Sequence, residues 1–188
     1  WSTDIVAGVE LAVADGVDVI SMSLGGLPFP DDPVVQSVDN AIEAGVVAVV
    51  AAGNDGTSGN TINSPGNSWN CITVGASDDN DTLAEFSSSG PLPDGTMKPD
   101  VLAPGVEICA AQWADAYSDY QCLDNNHVSI DGTSMATPHV AGLAALLLQK
   151  NPGFTPLQVK YAIRATAVDL GYPFFQQGAG RVDALAAI

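Results

Sequence analysis

The chain has 188 residues, with 5 Lys or Arg against 22 Asp or Glu and a formal net charge of −17. So few cations argue against nucleic acid as a partner, because neutralising phosphates requires clustered Lys and Arg. The composition, 46 % apolar and 14 % charged, is typical of a globular domain, and no apolar run approaches the roughly 18 residues of a membrane span. The sequence therefore predicts a single unit over residues 1–188 without a membrane segment.

The first half of the chain alternates patterns typical of helices and of strands. Apolar residues recur at helical spacing after the N-cap candidates Ser2 and Thr3, and Gly16 ends that pattern. The run from Val46 to Ala52 is apolar on both faces, as in a central strand of a parallel sheet. A strand, a crossover helix and a second parallel strand form a βαβ unit, so the sequence predicts an α/β fold. The predicted elements are helices at 2–16 and 34–45 and strands at 17–24 and 46–52.

The second half contains two further strand candidates and a strongly apolar helix. Residues 72–76 and 106–108 have strand patterns and are separated by turn-rich loops. Residues 134–149 form the apolar helix, which Asn151-Pro152-Gly153 ends. Thr155-Pro156 is an N-cap and first-turn pair for another helix. No linker or internal repeat divides these elements into separate domains.

The three cysteines lack the C-x-x-C spacing of zinc or redox sites. Cys109 and Cys122 flank a polar loop and could pair, which leaves Cys71 as a buried small apolar residue. Of the acidic residues 18 are Asp and 4 are Glu, a bias that favours turns and a hydrated negative surface. The composition is therefore consistent with an extracellular location.

Two glycine-containing segments follow the predicted strands of the βαβ unit. In an open parallel sheet ligands bind beyond the carboxyl ends of the strands, where Ser23-Leu24-Gly25-Gly26 and Gly53-Asn54-Asp55-Gly56 lie. Neither segment is a G-x-G-x-x-G or Walker loop, so nucleotide binding is not indicated. Each segment alone is also compatible with an ordinary turn.

A third segment, residues 131–142, places Ser134 between a glycine-containing turn and the start of the apolar helix. Free N–H groups and the positive end of the helix dipole favour a developing negative charge beside the Ser134 oxygen. An isolated serine at this position would be interpreted as a helix cap. The complete run from Gly132 to Gly142 is too particular for a cap alone.

That run resembles the serine motif of the subtilisin-like serine proteases. The neighbouring segments agree with the family in order and spacing, and the resemblance extends to residues 178–182 near the end of the chain. It implies a three-layer fold with a central, mostly parallel sheet flanked by helices, incomplete at its N-terminus. Residues 1–188 are then a partial peptidase domain. The segments that agree are Met22-Ser23-Leu24-Gly25-Gly26, Ala51-Ala52-Gly53-Asn54 and Ala103-Pro104-Gly105-Val106.

The resemblance implies specific roles for residues at the matching positions. Ser134 is the expected nucleophile, and the side-chain amide of Asn54 with the Ser134 N–H forms the expected oxyanion hole. Main-chain groups of residues 23–25, together with Gly53, are expected to bind the substrate as an added strand, which gives broad specificity. The implied activity is a secreted endopeptidase that acts on peptides or proteins through an acyl-enzyme at Ser134.

A serine nucleophile needs a base, and the family supplies a His oriented by an Asp from positions earlier than this chain reaches. His139, inside the serine motif, is expected to be a packed structural residue of the helix. His127, in a polar loop, is expected at the surface, and no family motif supports a catalytic role for it. The expected partner is therefore the N-terminal segment that carries Asp and His. The alternative is an inactive fragment or a peptide-binding module.

The chemistry implied by the resemblance requires no cofactor, although the family often binds calcium structurally. The acidic segment 78–81 offers oxygen ligands, but Leu83 stands where an EF-hand loop has glycine, so a solvated turn is favoured and no calcium ligand is assigned. Asn63 is aligned near the base of the specificity pocket, and residues 112–127 are placed along the cleft. Both are equally compatible with plain surface loops.

Overall fold

The computed structural model describes residues 2–113 and 118–188. Trp1 and part of the loop predicted to border the cleft, residues 114–117, lie outside them. None of the described helices has the length and apolar character that a membrane crossing requires. The α-helices are α1 Ser2–Ala14, α2 Pro33–Glu43, α3 Thr133–Lys150, α4 Pro156–Ala165, α5 Phe174–Gln177 and α6 Ala184–Ala187. The strands are β1 Val19–Met22, β2 Val47–Ala51, β3 Ile72–Ser77, β4 Val101–Pro104, β5 Ile108–Ala111 and β6 His127–Ile130.

The central sheet contains four parallel strands in the order β1-β2-β3-β4. Their pairing aligns Met22 with Val50 and Ala51 with Val74. This arrangement confirms the predicted parallel sheet. Among the strands of residues 2–113 and 118–188, β1 is the outermost on its side of the sheet.

Helices cover both faces of the sheet and give the predicted three layers. Side chains alternate between the faces, so Val47 and Val49 join one apolar cluster while Ala48 and Val50 join the other. The first cluster packs against α3 and α4, and the second packs against α1 and α2. Because both faces are buried, β2 is apolar throughout.

Strand β4 is not among the strands predicted from the sequence, although its last two residues begin the segment Ala103-Pro104-Gly105-Val106. Prolines bracket this strand, with Pro99 before it and Pro104 as its last residue, and proline weakens a strand pattern because it cannot donate to the ladder. The neighbouring prediction at 106–108 is displaced, since β5 begins only at Ile108.

Strands β5 and β6 form a separate antiparallel pair that the sequence analysis did not predict. The expectation that His127 lies in a polar loop is wrong, because His127 is the first residue of β6 and is paired with Ala111. The disulfide between Cys109 and Cys122 lies in this region, and Cys71 is a buried free thiol. The pairing and the buried thiol agree with the two expectations for the cysteines.

A buried ion cluster lies at the amino ends of β3 and β4. The Asp100 carboxylate is 2.7 Å from the Lys98 ammonium and 3.0 Å from the Lys160 ammonium. Both ammonium groups also donate to the Cys71 carbonyl, and Lys160 donates to the Trp69 carbonyl. Burial and the nearby Lys98 ammonium lower the pKa of Lys160 to about 8.

We expect the depressed pKa of Lys160 to make stability increase with pH in the alkaline range. Below pH 8 Lys160 is protonated in both states, whereas between 8 and its ordinary value of 10.5 only the folded state releases the proton. The unfolded state then binds more protons, so the free energy of unfolding rises. Between pH 7 and 10 the contribution is about 2 to 3 kcal/mol. Urea titrations of wild type and Lys160→Met at several pH values measure it, and a pH-independent difference would contradict it.

Candidate active site

Ser134 lies in the first turn of α3, after the N-cap residue Gly132. The φ of Gly132 is +154°, a conformation that side chains rarely adopt. The Gly132 N–H donates to the carbonyl of Gly105 at 2.8 Å, which ties the start of the helix to the end of β4. In the first turn the N–H of Ser134 has no acceptor within the helix. Ser134 is therefore held at a helix terminus suited to stabilising negative charge.

Pro138, in the serine motif, explains why the residue that follows β1 contacts Ser134. It lies inside α3 and has no N–H, so it leaves the carbonyl of Ser134, four residues earlier, without its helical donor. The Ser23 hydroxyl donates to that carbonyl at 2.6 Å. In the other direction, Ser134 Oγ donates to the Ser23 carbonyl at 3.4 Å. Ser23 thus holds the carboxyl end of β1 against the predicted nucleophile.

Thr133 sets the orientation of the Asn54 side chain. The main-chain N–H of Thr133 donates to an atom of the Asn54 amide at 3.0 Å, and because an N–H needs an acceptor, that atom is Oδ1. The Thr133 hydroxyl lies 3.0 Å from the same oxygen. The Nδ2 donor therefore faces the other way, 3.5 Å from where a Cβ on Gly132 would be. Sequence reasoning missed Thr133, although it precedes the predicted nucleophile directly.

Gly53 and Gly25 flank the buried side chain of Asn63. A Cβ on Gly53, whose φ is +110°, would lie 2.1 Å from Asn63 Nδ2, and one on Gly25 would lie 3.2 Å from Asn63 Cβ. Asn63 Nδ2 donates to the Asp55 carboxylate. The structure thus places Asn63 between the two segments predicted to bind substrate, and its role in a pocket stays a prediction.

The segment after β1 offers free main-chain groups at the edge of the sheet. Leu24 and Gly25 make no main-chain hydrogen bond with the described residues, whereas Gly26 pairs with Ser64 in both directions at 2.9 Å. Leu24 is 38 % exposed. An extended chain can therefore hydrogen-bond along residues 23–25, as in strand addition.

The two histidines of the chain form hydrogen bonds with groups other than Ser134. His139 is exposed and its Nδ1 lies 2.9 Å from the Met135 carbonyl, so the expectation of a packed residue is wrong. Its side chain points away from the sheet because the inward face of α3 is occupied by residues such as Ala136 and Val140. The half-buried His127 pairs with Asp124 at 2.7 Å. Neither histidine hydrogen-bonds Ser134 in the described structure.

Two carboxylates of the acidic segment 78–81 are engaged by groups of the protein itself. Backbone N–H groups of Thr82 and Asn80 donate to the Asp78 carboxylate and lower its pKa. The Asp81 carboxylate pairs with Arg181. Among the described residues no group of three His, Cys, Asp or Glu side chains is arranged to hold a metal ion. We therefore assign no chemistry to calcium.

Comparisons with known proteins agree with the motifs around Ser134. The model of the subtilase family, peptidase S8, matches residues 1–180. Serine protease AprX of Bacillus subtilis (strain 168) is 44 % identical over 184 residues, which cover 86 % of this chain and 42 % of that protein. Subtilisin DY of Bacillus licheniformis is 44 % identical over 185 residues, covering 97 % of this chain and 61 % of that protein. The chain thus spans roughly two to three fifths of these relatives.

Solved structures of similar proteins share the fold. The prenylagaramide maturation protease PagA has a TM-score of 0.82 and 29 % identity, covering 100 % of this chain and 66 % of that one. A cold-adapted subtilisin-like serine proteinase has a TM-score of 0.75 and 31 % identity, covering 97 % and 60 %. The three-layer arrangement described above is therefore that of these proteases.

Proposed function

The chain belongs to the subtilase family, and from this premise we propose that it supplies the nucleophile and the oxyanion donor of a secreted serine endopeptidase. The observation that carries the proposal is the joint placement of Ser134 and Asn54. Ser134 lies in the first turn of α3 beside the end of β1, and Thr133 orients the Asn54 amide so that its Nδ2 has no hydrogen-bond partner among the described residues. In acyl transfer such a donor stabilises charge that appears only in the transition state.

In the proposed reaction Ser134 Oγ attacks the scissile carbonyl of a peptide bound along residues 23–25. The hydroxyl proton passes to a histidine, which later protonates the leaving amine, and water then hydrolyses the acyl-enzyme. Because the Ser134 hydroxyl donates to the Ser23 carbonyl and neither histidine hydrogen-bonds it among the described residues, we assign the base to a segment outside this chain that carries His and Asp. The disulfide Cys109–Cys122 supports the extracellular part of the proposal.

A second candidate is a module that binds peptide strands without cleaving them. It is favoured by the absence of any hydrogen bond between Ser134 and the histidines of this chain in the described structure. Reaction with a fluorophosphonate probe separates the two candidates, because the probe labels an activated serine. An intact-mass spectrum with the adduct on this chain and a second polypeptide present supports the protease, whereas an unmodified lone chain supports the binding module.

Replacing Asn54 with Ala should lower kcat by about 10² to 10³-fold and change KM much less, because the lost donor acts on the transition state. The magnitude, about 2.7 to 4 kcal/mol, is the value established on a subtilisin, a member of this family. Steady-state kinetics on a peptide substrate measure the effect. Asn80→Ala, in an exposed loop, is the control, and a change confined to KM would remove the assignment of Asn54.

A further inference from the structure

A cavity at the amino ends of β3 and β4 concentrates the few cations of this acidic chain. It has a volume of about 260 Å³ and is lined by Lys98, Lys160 and Arg164, with Asp100 as its acidic residue. These are three of the five Lys and Arg residues in a chain of net charge −17. The charged groups lining the cavity therefore sum to a positive charge, whereas the chain as a whole has a net charge of −17.

The cavity lies at the amino ends of the strands, whereas Ser134 lies near their carboxyl ends. Parallel strands all run in one direction, and the cavity residues Trp69, Lys98 and Asp100 come just before β3 and β4 begin. The segments with Ser23 and Asn54 follow the ends of β1 and β2. The cavity is therefore not part of the proposed active site.

Among the three cations of the cavity, Arg164 has a hydrogen-bond donor without an acceptor in the described structure. The two ammonium groups are occupied by the Asp100 carboxylate and by main-chain carbonyls. The Arg164 ε-nitrogen is buried and has no hydrogen-bond partner among the described residues. It lies 3.9 Å from Asp100 Oδ1, beyond hydrogen-bond distance. A buried donor without a partner is unfavourable, and a bound acceptor would satisfy it.

The rim of the cavity is apolar and exposed. Trp69 is 67 % and Tyr161 59 % exposed, although both are large side chains that are usually covered. An aromatic ring can stack on such side chains while its polar end reaches the floor. The remaining exposed apolar side chains of the rim are Met97, Leu157 and Phe174.

We propose that this cavity binds a carboxylate carried on an apolar or aromatic body, with the carboxylate paired to Arg164 and the body against Trp69 and Tyr161. The planar guanidinium matches a carboxylate with two parallel hydrogen bonds. Both a free aromatic acid and the C-terminal residue of a peptide have this chemistry. Binding at this site does not require that the protein hydrolyse peptides.

The probe for the site is N-acetyl-L-phenylalanine, with N-acetyl-L-phenylalaninamide as the uncharged control, titrated into the protein by ligand-observed NMR. We expect the acid to bind and the amide to bind at least about tenfold more weakly, because the amide cannot pair with the guanidinium. A tripeptide acid ending in Phe distinguishes the sources. Tighter binding of the tripeptide indicates a peptide terminus, and equal binding indicates that the acid alone is recognised.

Variants place the binding in the cavity. Arg164→Gln should weaken binding of the acid at least about tenfold, whereas Lys150→Gln, which removes one exposed cation elsewhere, should leave it unchanged. Trp69→Ala changes an exposed side chain, so folding is not at risk, and should also weaken binding. The proposal is overturned if the acid does not bind, or if the acid and the amide bind with equal affinity. It is also overturned if the Arg164 and Lys150 variants bind the acid with equal affinity.

Discussion

Replacement of Ser134 by Ala should abolish peptide hydrolysis and fluorophosphonate labelling together while leaving the fold intact. The hydroxyl is the proposed attacking group, and water cannot replace it in the same geometry. In a subtilisin, the family member on which this magnitude was measured, loss of the nucleophile lowers kcat by about 10⁶-fold, and we adopt that value as the expectation. The measurement is turnover of a peptide substrate by the protein with its His and Asp segment present.

The Ser134 variant also separates hydrolysis from peptide binding. The Ser134 hydroxyl donates a 3.4 Å hydrogen bond to the Ser23 carbonyl and has no other hydrogen-bond partner among residues 2–113 and 118–188, so its loss leaves residues 23–25 able to hydrogen-bond a peptide. Ser129→Ala, on β6, is the matched control and should retain activity. Unchanged hydrolysis by the Ser134 variant would contradict the proposed mechanism, whereas parallel loss of peptide binding would indicate a structural role.

Replacement of Asp100 by Asn should destabilise the protein by about 3 to 5 kcal/mol, because it leaves two buried ammonium groups without a counter-ion. Asp100 is 4 % exposed and accepts hydrogen bonds from Lys98 and from the Thr73 N–H. Burial raises the pKa of Asp100, but the Lys98 and Lys160 ammonium groups outweigh burial and hold the pKa below its ordinary value. Total stabilities of domains are about 5 to 15 kcal/mol, so the loss is a large fraction.

Urea unfolding at pH 7 measures the Asp100 effect. The matched control is Asp81→Asn, which removes the carboxylate of a pair with Arg181 whose side chains are 40 % and 30 % exposed. Solvent-exposed pairs contribute about 0 to 1 kcal/mol, so this variant should unfold near the wild-type midpoint. If the two variants lose the same stability, the buried cluster is not held by the Asp100 charge.

Several features of the fold could be predicted because they depend on neighbouring residues. The helical spacing that begins at Ser2 and the two-sided apolar run of β2 report which faces are buried, and the structure has both elements. The sequence does not predict β4, because proline is unfavourable in strands and Pro104 ends this one. It does not predict β6, because that strand begins with a polar residue, His127. Both strands depend on pairing with partners that are distant in sequence, which local patterns do not contain.

The candidate site also has a part that contiguous residues predict and a part that depends on contacts between distant residues. The run from Gly132 to Gly142 predicted Ser134 as the nucleophile, because the glycine turn, the serine and the helix are contiguous. The orientation of the Asn54 amide depends on Thr133, 79 residues away, and the contact of Ser23 with Ser134 spans 111 residues. These contacts form only when the strand ends and the start of α3 meet.

The family, the parallel α/β fold and the predicted nucleophile could be inferred without a structure, because each is recorded in contiguous residues. Three features required the folded chain: the exposure of His139, the contact of Ser23 with the carbonyl that Pro138 leaves without a donor, and the cavity that Arg164 shares with two buried lysines. The physical reason is that burial and charge pairing are set by side chains from separate elements. Their positions follow from packing the helices against the sheet, not from spacing along the chain.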